Sequence, residues 1–204
     1  MPSALRLTLL ILVGLTGCGS SRVRPPSVDA AAATKQAMAE YDANSDGTLD
    51  EKELERCPSL KSCLVHLVDT VGGKKKTSIT AAELQERIAS YYPGEIGTMT
   101  FTCQVLLSNR PLSGATVRLL PEKFLGSAIK PAKGTTDAEG YVNLQAEEID
   151  APGMHCGLYR VEISKKDAGG QETIPARYNA QTILGQEVAP VGRGGEVVYR
   201  LSGK

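Results

Sequence analysis

Twelve residues, Asp42-Ala43-Asn44-Ser45-Asp46-Gly47-Thr48-Leu49-Asp50-Glu51-Lys52-Glu53, restrict this chain more than any other stretch. Asp42, Asn44 and Asp46 alternate ahead of a glycine, so three short oxygen-bearing side chains are set to converge. Gly47 lets the backbone reverse where a Cβ would clash. Asp50 and Glu53 add two further carboxylates beyond the glycine. Four carboxylates without sulfur or imidazole favour a hard divalent cation, so calcium is expected ahead of zinc or copper. Asp, Asn and Gly also form ordinary acidic turns. Such a turn requires neither Leu49 amid polar neighbours nor Glu53 six residues beyond the glycine.

The run resembles the calcium loop of an EF-hand. That resemblance implies one Ca²⁺ held by Asp42, Asn44, Asp46, the main-chain carbonyl of Thr48, Asp50 through a water, and Glu53 through two oxygens. Asp29 is placed to cap an alanine-rich helix, Ala30 to Tyr41, that leads into the loop. An exit helix over Glu51 to Arg56 is expected to stop at Pro58. Ser59 then starts a helix carrying Leu60, Cys63, Leu64, Leu67, Val68 and Val71. Residues 72–83 resemble a second EF-hand loop, because Ile79 and Glu83 repeat the spacing of Leu49 and Glu53. Gly72, Lys74 and Lys76 replace the ligands there, and ammonium groups repel a cation. One ion is therefore expected rather than two, with Leu49 pairing with Ile79 across the loops. An affinity of roughly 10⁻⁵–10⁻³ M suits a single site outside the cytosol.

The 204 residues carry no net charge and no tryptophan. Nucleic acid is therefore not an expected partner, nor is a sugar or base stacked on aromatics. Arg6 followed by the apolar Leu7 to Leu15 reads as an export signal over 1–17, too short to span a bilayer. Leu15-Thr16-Gly17-Cys18 resembles a bacterial lipobox, which implies lipidation at Cys18 and membrane contact through that anchor. Gly19 after the cysteine favours the outer over the inner membrane. Residues 18–28 form a short polar tether.

From Thr98 the period changes to two: Met99, Phe101, Cys103, Val105 and Leu107 alternate with mostly polar residues. Turn signals at 109–111, 138–140, 168–170 and 192–195 separate runs at 115–120, 141–144, 158–163, 183–188 and 196–201. The pattern predicts an antiparallel β-sandwich of about seven strands over 96–204. Pro111-Leu112-Ser113-Gly114-Ala115-Thr116-Val117, Thr135-Thr136-Asp137-Ala138-Glu139-Gly140-Tyr141-Val142 and Gly157-Leu158-Tyr159-Arg160-Val161 resemble a carboxypeptidase regulatory-like domain of the transthyretin type. That implies a non-catalytic binding or spacer module, with an envelope protein or polysaccharide as partner. The expected fold class is thus α+β in two domains, an all-α EF-hand pair over 29–93 with a degenerate second loop, followed by the sandwich. Two alternatives stand beside it. One is a purely structural envelope protein with a calcium-stabilised hinge. The other is a transthyretin-like hydrolase, whose terminal Tyr-Arg-Gly-Ser motif Tyr199-Arg200-Leu201-Ser202 matches except at Leu201.

Beyond Cys18 four cysteines remain, an even number in an exported chain. Of three connectivities, Cys57–Cys63 and Cys103–Cys156 each close within one unit and are preferred. His66 and His155 have no acid or nucleophile near them in sequence, so no enzyme activity is expected from them.

Overall fold

The computed structural model describes residues 23–67, 76–94, 97–190 and 196–203. The export signal, Cys18, Val68, Val71, Gly72, Lys74 and the turn at 192–195 lie outside the described residues.

Helix α1 (Ala30–Tyr41) starts at Asp29, whose carboxylate accepts the Ala32 N–H at 2.9 Å. Its Ala33 and Ala37 are buried, and Tyr41 meets Phe124 edge-on with ring centroids 6.4 Å apart. After the loop come strand β1 (Thr48–Leu49), helix α2 (Glu51–Glu55) and helix α3 (Pro58–Cys63). Pro58 begins α3 as well as following α2, since a ring-fixed φ suits a first helical turn. Strand β2 (Ile79–Thr80) and helix α4 (Ala81–Ala89) complete this part. β1 and β2 pair antiparallel, with Leu49 opposite Ile79 and Thr48 opposite Thr80.

The remaining strands are β3 (Thr102–Leu107), β4 (Arg110–Pro111), β5 (Thr116–Pro121), β6 (Ala132–Thr135), β7 (Tyr141–Asn143), β8 (Gln145–Ala146), β9 (Gly157–Ser164), β10 (Gly185–Val188) and β11 (Val197–Leu201). A five-stranded sheet runs β10-β9-β5-β6-β8, and a second sheet joins β11, β4 and β7 to β3. Val117 and Leu119 of β5 pair with Ile163 and Val161 of β9, and all four are buried. They share one core with Cys103 and Val105 of β3, Val142 of β7, and Tyr199 and Leu201 of β11.

The opposite face of β9 and β10 carries Leu158, Glu187 and Gly185, because alternate residues of a strand share a face. Here α3 sits down on the sheet, and α4, packed on α1, reaches it through side chains. Gly185 lies so close to α3 that an added Cβ would stand 2.0 Å from the Pro58 carbonyl carbon. Ser59 Oγ donates to Glu122 Oε1 at 2.7 Å. Arg87 of α4 donates to Glu187 through Nε at 2.6 Å and Nη2 at 3.1 Å, and the Tyr91 hydroxyl donates at 2.9 Å.

These contacts correct the expected fold class. Among the described residues there are four short helices and three sheets, and the chain is mostly β. The helical stretch is not an all-α EF-hand pair standing beside a separate sandwich. It contributes its own two-stranded sheet and caps the larger one, and Leu49, Leu54, Leu60, Ile79 and Leu84 belong to the same continuous core as the strands. The second sheet is not wholly antiparallel either, because β11 runs parallel to β3. The physical reason is length. Helices of five and six residues have too little apolar face to make a core of their own: α2 packs on α3 and β1, and α3 in turn buries itself on β10 and β9.

His155 gives the fold a pH dependence. It is buried, and its Nδ1 accepts the Lys130 N–H at 3.3 Å. Burial first, and then the Lys130 ammonium, hold its imidazole below the usual range. The native state therefore refuses a proton that the unfolded chain accepts below about pH 6.5. Stability present above that pH is lost as pH falls through the folded value. Urea unfolding at a series of pH values should show this loss in the parent protein and a shallower one in His155→Gln, which keeps an acceptor without the charge. Glu122 works in the opposite direction, since burial raises its carboxyl, so the difference between the two proteins isolates His155.

Candidate metal centre

Two residues let the 42–53 segment fold back on itself. Ser45 (φ 58°) and Gly47 (φ 81°) take left-handed backbone conformations, and Gly47 makes the turn without a Cβ. The side chains then fold inward across the loop. Asp42 accepts the N–H groups of Asp46 at 3.2 Å and Gly47 at 2.9 Å. Asn44 Oδ1 accepts Asp46 N–H at 2.9 Å, and its amide donates to Asp46 Oδ2 at 2.9 Å. Asp46 Oδ1 accepts Thr48 N–H at 2.8 Å.

Glu53 closes the far side. It is buried, its Oε1 accepts Ala43 N–H at 2.8 Å, and its Oε2 accepts Asp50 N–H at 2.9 Å. Asp50 returns the favour by capping α2 through Glu53 N–H at 3.0 Å, a reciprocal capping box. One carboxylate thus ties the first and last thirds of the loop together. The Thr48 backbone is held from outside, by its pairing with Thr80.

Asp42, Asp46, Asp50 and Glu53 make no ion pair among the described residues. Nor, among those residues, do any three His, Cys, Asp or Glu side chains gather as a ready metal-binding group. The loop carboxylates are spent on backbone N–H groups instead. Each ionised carboxylate has about four acceptor positions, so these bonds leave oxygen lone pairs unused. The donor chemistry, all oxygen and no sulfur or imidazole, fits calcium.

The second loop is described from residue 76 onward. Thr80 and Glu83 repeat the capping box of Asp50 and Glu53, with Glu83 Oε2 accepting Thr80 N–H at 3.0 Å. Lys76 forms an ion pair with Glu83 Oε1. The sequence shows Lys76 only as a charge that repels a cation, and gives no sign that it pairs with the closing glutamate.

The cysteines differ from expectation. Cys57, Cys63, Cys103 and Cys156 are all free thiols, and neither Cys57–Cys63 nor Cys103–Cys156 is bonded. Cys57 Sγ faces Ser59 Oγ at 3.2 Å, Cys63 Sγ faces the Ser59 carbonyl at 3.8 Å, and Cys156 Sγ faces Met99 Sδ at 3.5 Å. Cys57 and Cys63 stand at opposite ends of α3, which holds them apart. Burial, followed by the Glu122 charge, pushes the Cys57 thiol up to about 11. Burial alone takes Cys103 to about 12, and burial with Glu187 takes Cys156 to about 11. Burial also raises Cys63. Thiols in such surroundings are poor nucleophiles at neutral pH.

The terminal residues that resembled a hydrolase motif point different ways along β11. Tyr199 is buried and donates to Gln186 Oε1 at 3.1 Å, while Arg200 is exposed. Ser202 instead meets the Tyr178 hydroxyl at 3.0 Å and Arg177 Nη2 at 3.0 Å. Hydrogen bonds from Ser202 and then Arg177 lower the Tyr178 phenol to about 8. No helix among the described residues is long and apolar enough to cross a membrane. Comparison of the chain with protein-family models, curated proteins and solved structures gave no match.

Proposed function

We propose that this chain is an exported, lipid-anchored envelope protein that holds one structural calcium ion in the loop 42–53. Asp42, Asn44, Asp46, the Thr48 carbonyl, Asp50 through a water, and Glu53 would hold the ion, and Cys18 would carry the lipid. The observation that carries the reading is the inward arc of Asp42, Asn44, Asp46 and Glu53 around one glycine turn, with no basic side chain paired to its carboxylates among the described residues. The β sheets would serve as a non-catalytic binding or spacer module toward an envelope protein or polysaccharide.

A structural role for the ion is favoured over a sensor role. Calcium sensors expose an apolar groove when loaded. Here the apolar face of α3 is already buried against β9 and β10, and that of α4 against α1. Calcium bound only by the native state stabilises it by about 2.7 kcal/mol at a hundredfold excess over the Kd. For a chain of this size, each kcal/mol raises the melting temperature by roughly 2–4 °C. Thermal unfolding of the full chain in millimolar calcium should therefore show a higher melting temperature than in chelator. Identical melting temperatures would overturn the reading.

A further inference from the structure

We propose that the Lys76 ammonium is a tethered cation that satisfies the Glu83 carboxylate without a metal, braces the β1–β2 ladder and thereby pre-positions the first loop for calcium. This rests on the calcium reading above and names how that site is regulated from within the chain.

The two half-sites align through their paired strands. Glu83 follows Ile79 by four residues, as Glu53 follows Leu49, and Ile79 faces Leu49 in the ladder. Lys76 precedes Ile79 by three residues, as Asp46 precedes Leu49. A positive charge therefore stands where the first loop carries a carboxylate. In both loops the closing glutamate caps its helix with one oxygen: Glu53 Oε2 on Asp50 N–H and Glu83 Oε2 on Thr80 N–H. The other oxygen distinguishes them. Glu53 Oε1 reaches the backbone at Ala43, whereas Glu83 Oε1 takes the Lys76 ammonium. The second loop neutralises its own closing carboxylate; the first does not.

The path from this pair to the calcium loop is short. Glu83 also accepts the Thr80 hydroxyl at 3.0 Å, and Thr80 lies opposite Thr48. The next residue, Ala81, donates its N–H to the Gly47 carbonyl at 3.1 Å. Gly47 is the residue on which the first loop turns, and its left-handed backbone is pinned from the second loop. A ladder of two residues per strand has little stability of its own, so both ends need anchoring. Leu49 and Ile79 anchor it in the core. Lys76 and Glu83 anchor the end of β2 that faces solvent, where both side chains remain partly exposed. A ladder braced in advance spares the calcium the cost of ordering it, which is preorganisation. The Lys76 charge also restricts binding to one ion.

The test uses Lys76→Met, Lys76→Arg and Glu83→Gln in the full chain, with Ca²⁺ as the probe. Lys76→Met should lower calcium affinity at least about fivefold, the lower bound for coupling between sites, although residue 76 touches no ligand of the first loop. In the calcium-free protein, Lys76→Met and Glu83→Gln should both speed amide hydrogen exchange at Ala81 and in the Leu49–Ile79 ladder. Lys76→Arg keeps the charge and should restore affinity and exchange. Unchanged affinity and unchanged exchange in Lys76→Met would overturn the proposal, as would exchange in Lys76→Arg as fast as in Lys76→Met. Parent protein that takes up no calcium would sink the calcium reading instead. The exchange measurement needs no metal and still decides whether Lys76 braces the ladder.

Discussion

Replacing Arg87 by methionine is expected to destabilise the protein by about 3–5 kcal/mol, the cost of leaving a buried charge without its partner. Glu187 is almost wholly removed from solvent, with its side chain 1% exposed and that of Arg87 14%. Two guanidinium bonds and the Tyr91 hydroxyl account for its carboxylate, and His66 Nε2 stands further off at 3.7 Å. Methionine preserves much of the aliphatic stem of arginine but removes both charged donors. What remains is a carboxylate under α3 and α4 with one phenol in hydrogen-bond contact and His66 beyond it. Because Arg87 and Glu187 join α4 to β10, the loss falls on the seam between the helical cap and the sheet. Urea unfolding of Arg87→Met, Glu187→Leu and the double variant forms the appropriate cycle. The double variant should recover much of the loss, since a buried pair exchanged for apolar groups is often neutral. A single-variant cost below about 1 kcal/mol, the level of an exposed pair, would mean that the seam is wet.

Glu53→Gln should change calcium binding more than any other substitution in the loop. Outer-shell partners of metal ligands already cost about 10–100-fold when removed, so loss of the closing carboxylate should exceed about 100-fold. The calcium-free protein is affected as well. Glu53 presents two acceptor oxygens to two backbone N–H groups, Ala43 and Asp50. Glutamine has one carbonyl oxygen, so its NH₂ must face one of those donors. An unmade buried hydrogen bond of this kind costs about 1–3 kcal/mol. Affinity and metal-free stability should therefore fall together, whereas Asp46→Asn, on the exposed side of the loop, should lower affinity with less effect on the fold.

Local chemistry made the loop legible. Asp42, Asn44, Asp46, Gly47 and Glu53 lie within twelve residues, and the turn that brings them together needs only the φ of Ser45 and Gly47. The Leu49–Ile79 pairing could be read because both sit four residues before a glutamate. Strand positions followed from the two-residue period, and the expected run 158–163 lies inside β9. The union of helices and sheets could not be read this way. Arg87 and Glu187 are a hundred residues apart, and a glutamate in a short strand looks like a solvent-facing position. Gly185 likewise gives no sign that Pro58 will rest against it. The parallel β11 was hidden because turn signals imply hairpins, whereas its partner is β3. Even cysteine counts pointed to disulfides, but the rigid turns of α3 separate Cys57 from Cys63.

Calorimetric titration of Ca²⁺ into the parent chain and into Glu53→Gln, side by side, tests the central claim most directly. The account predicts saturable uptake of one ion per chain by the parent and no measurable uptake by the variant at the same concentrations. Equal heats from the two proteins, or none from the parent, would contradict it.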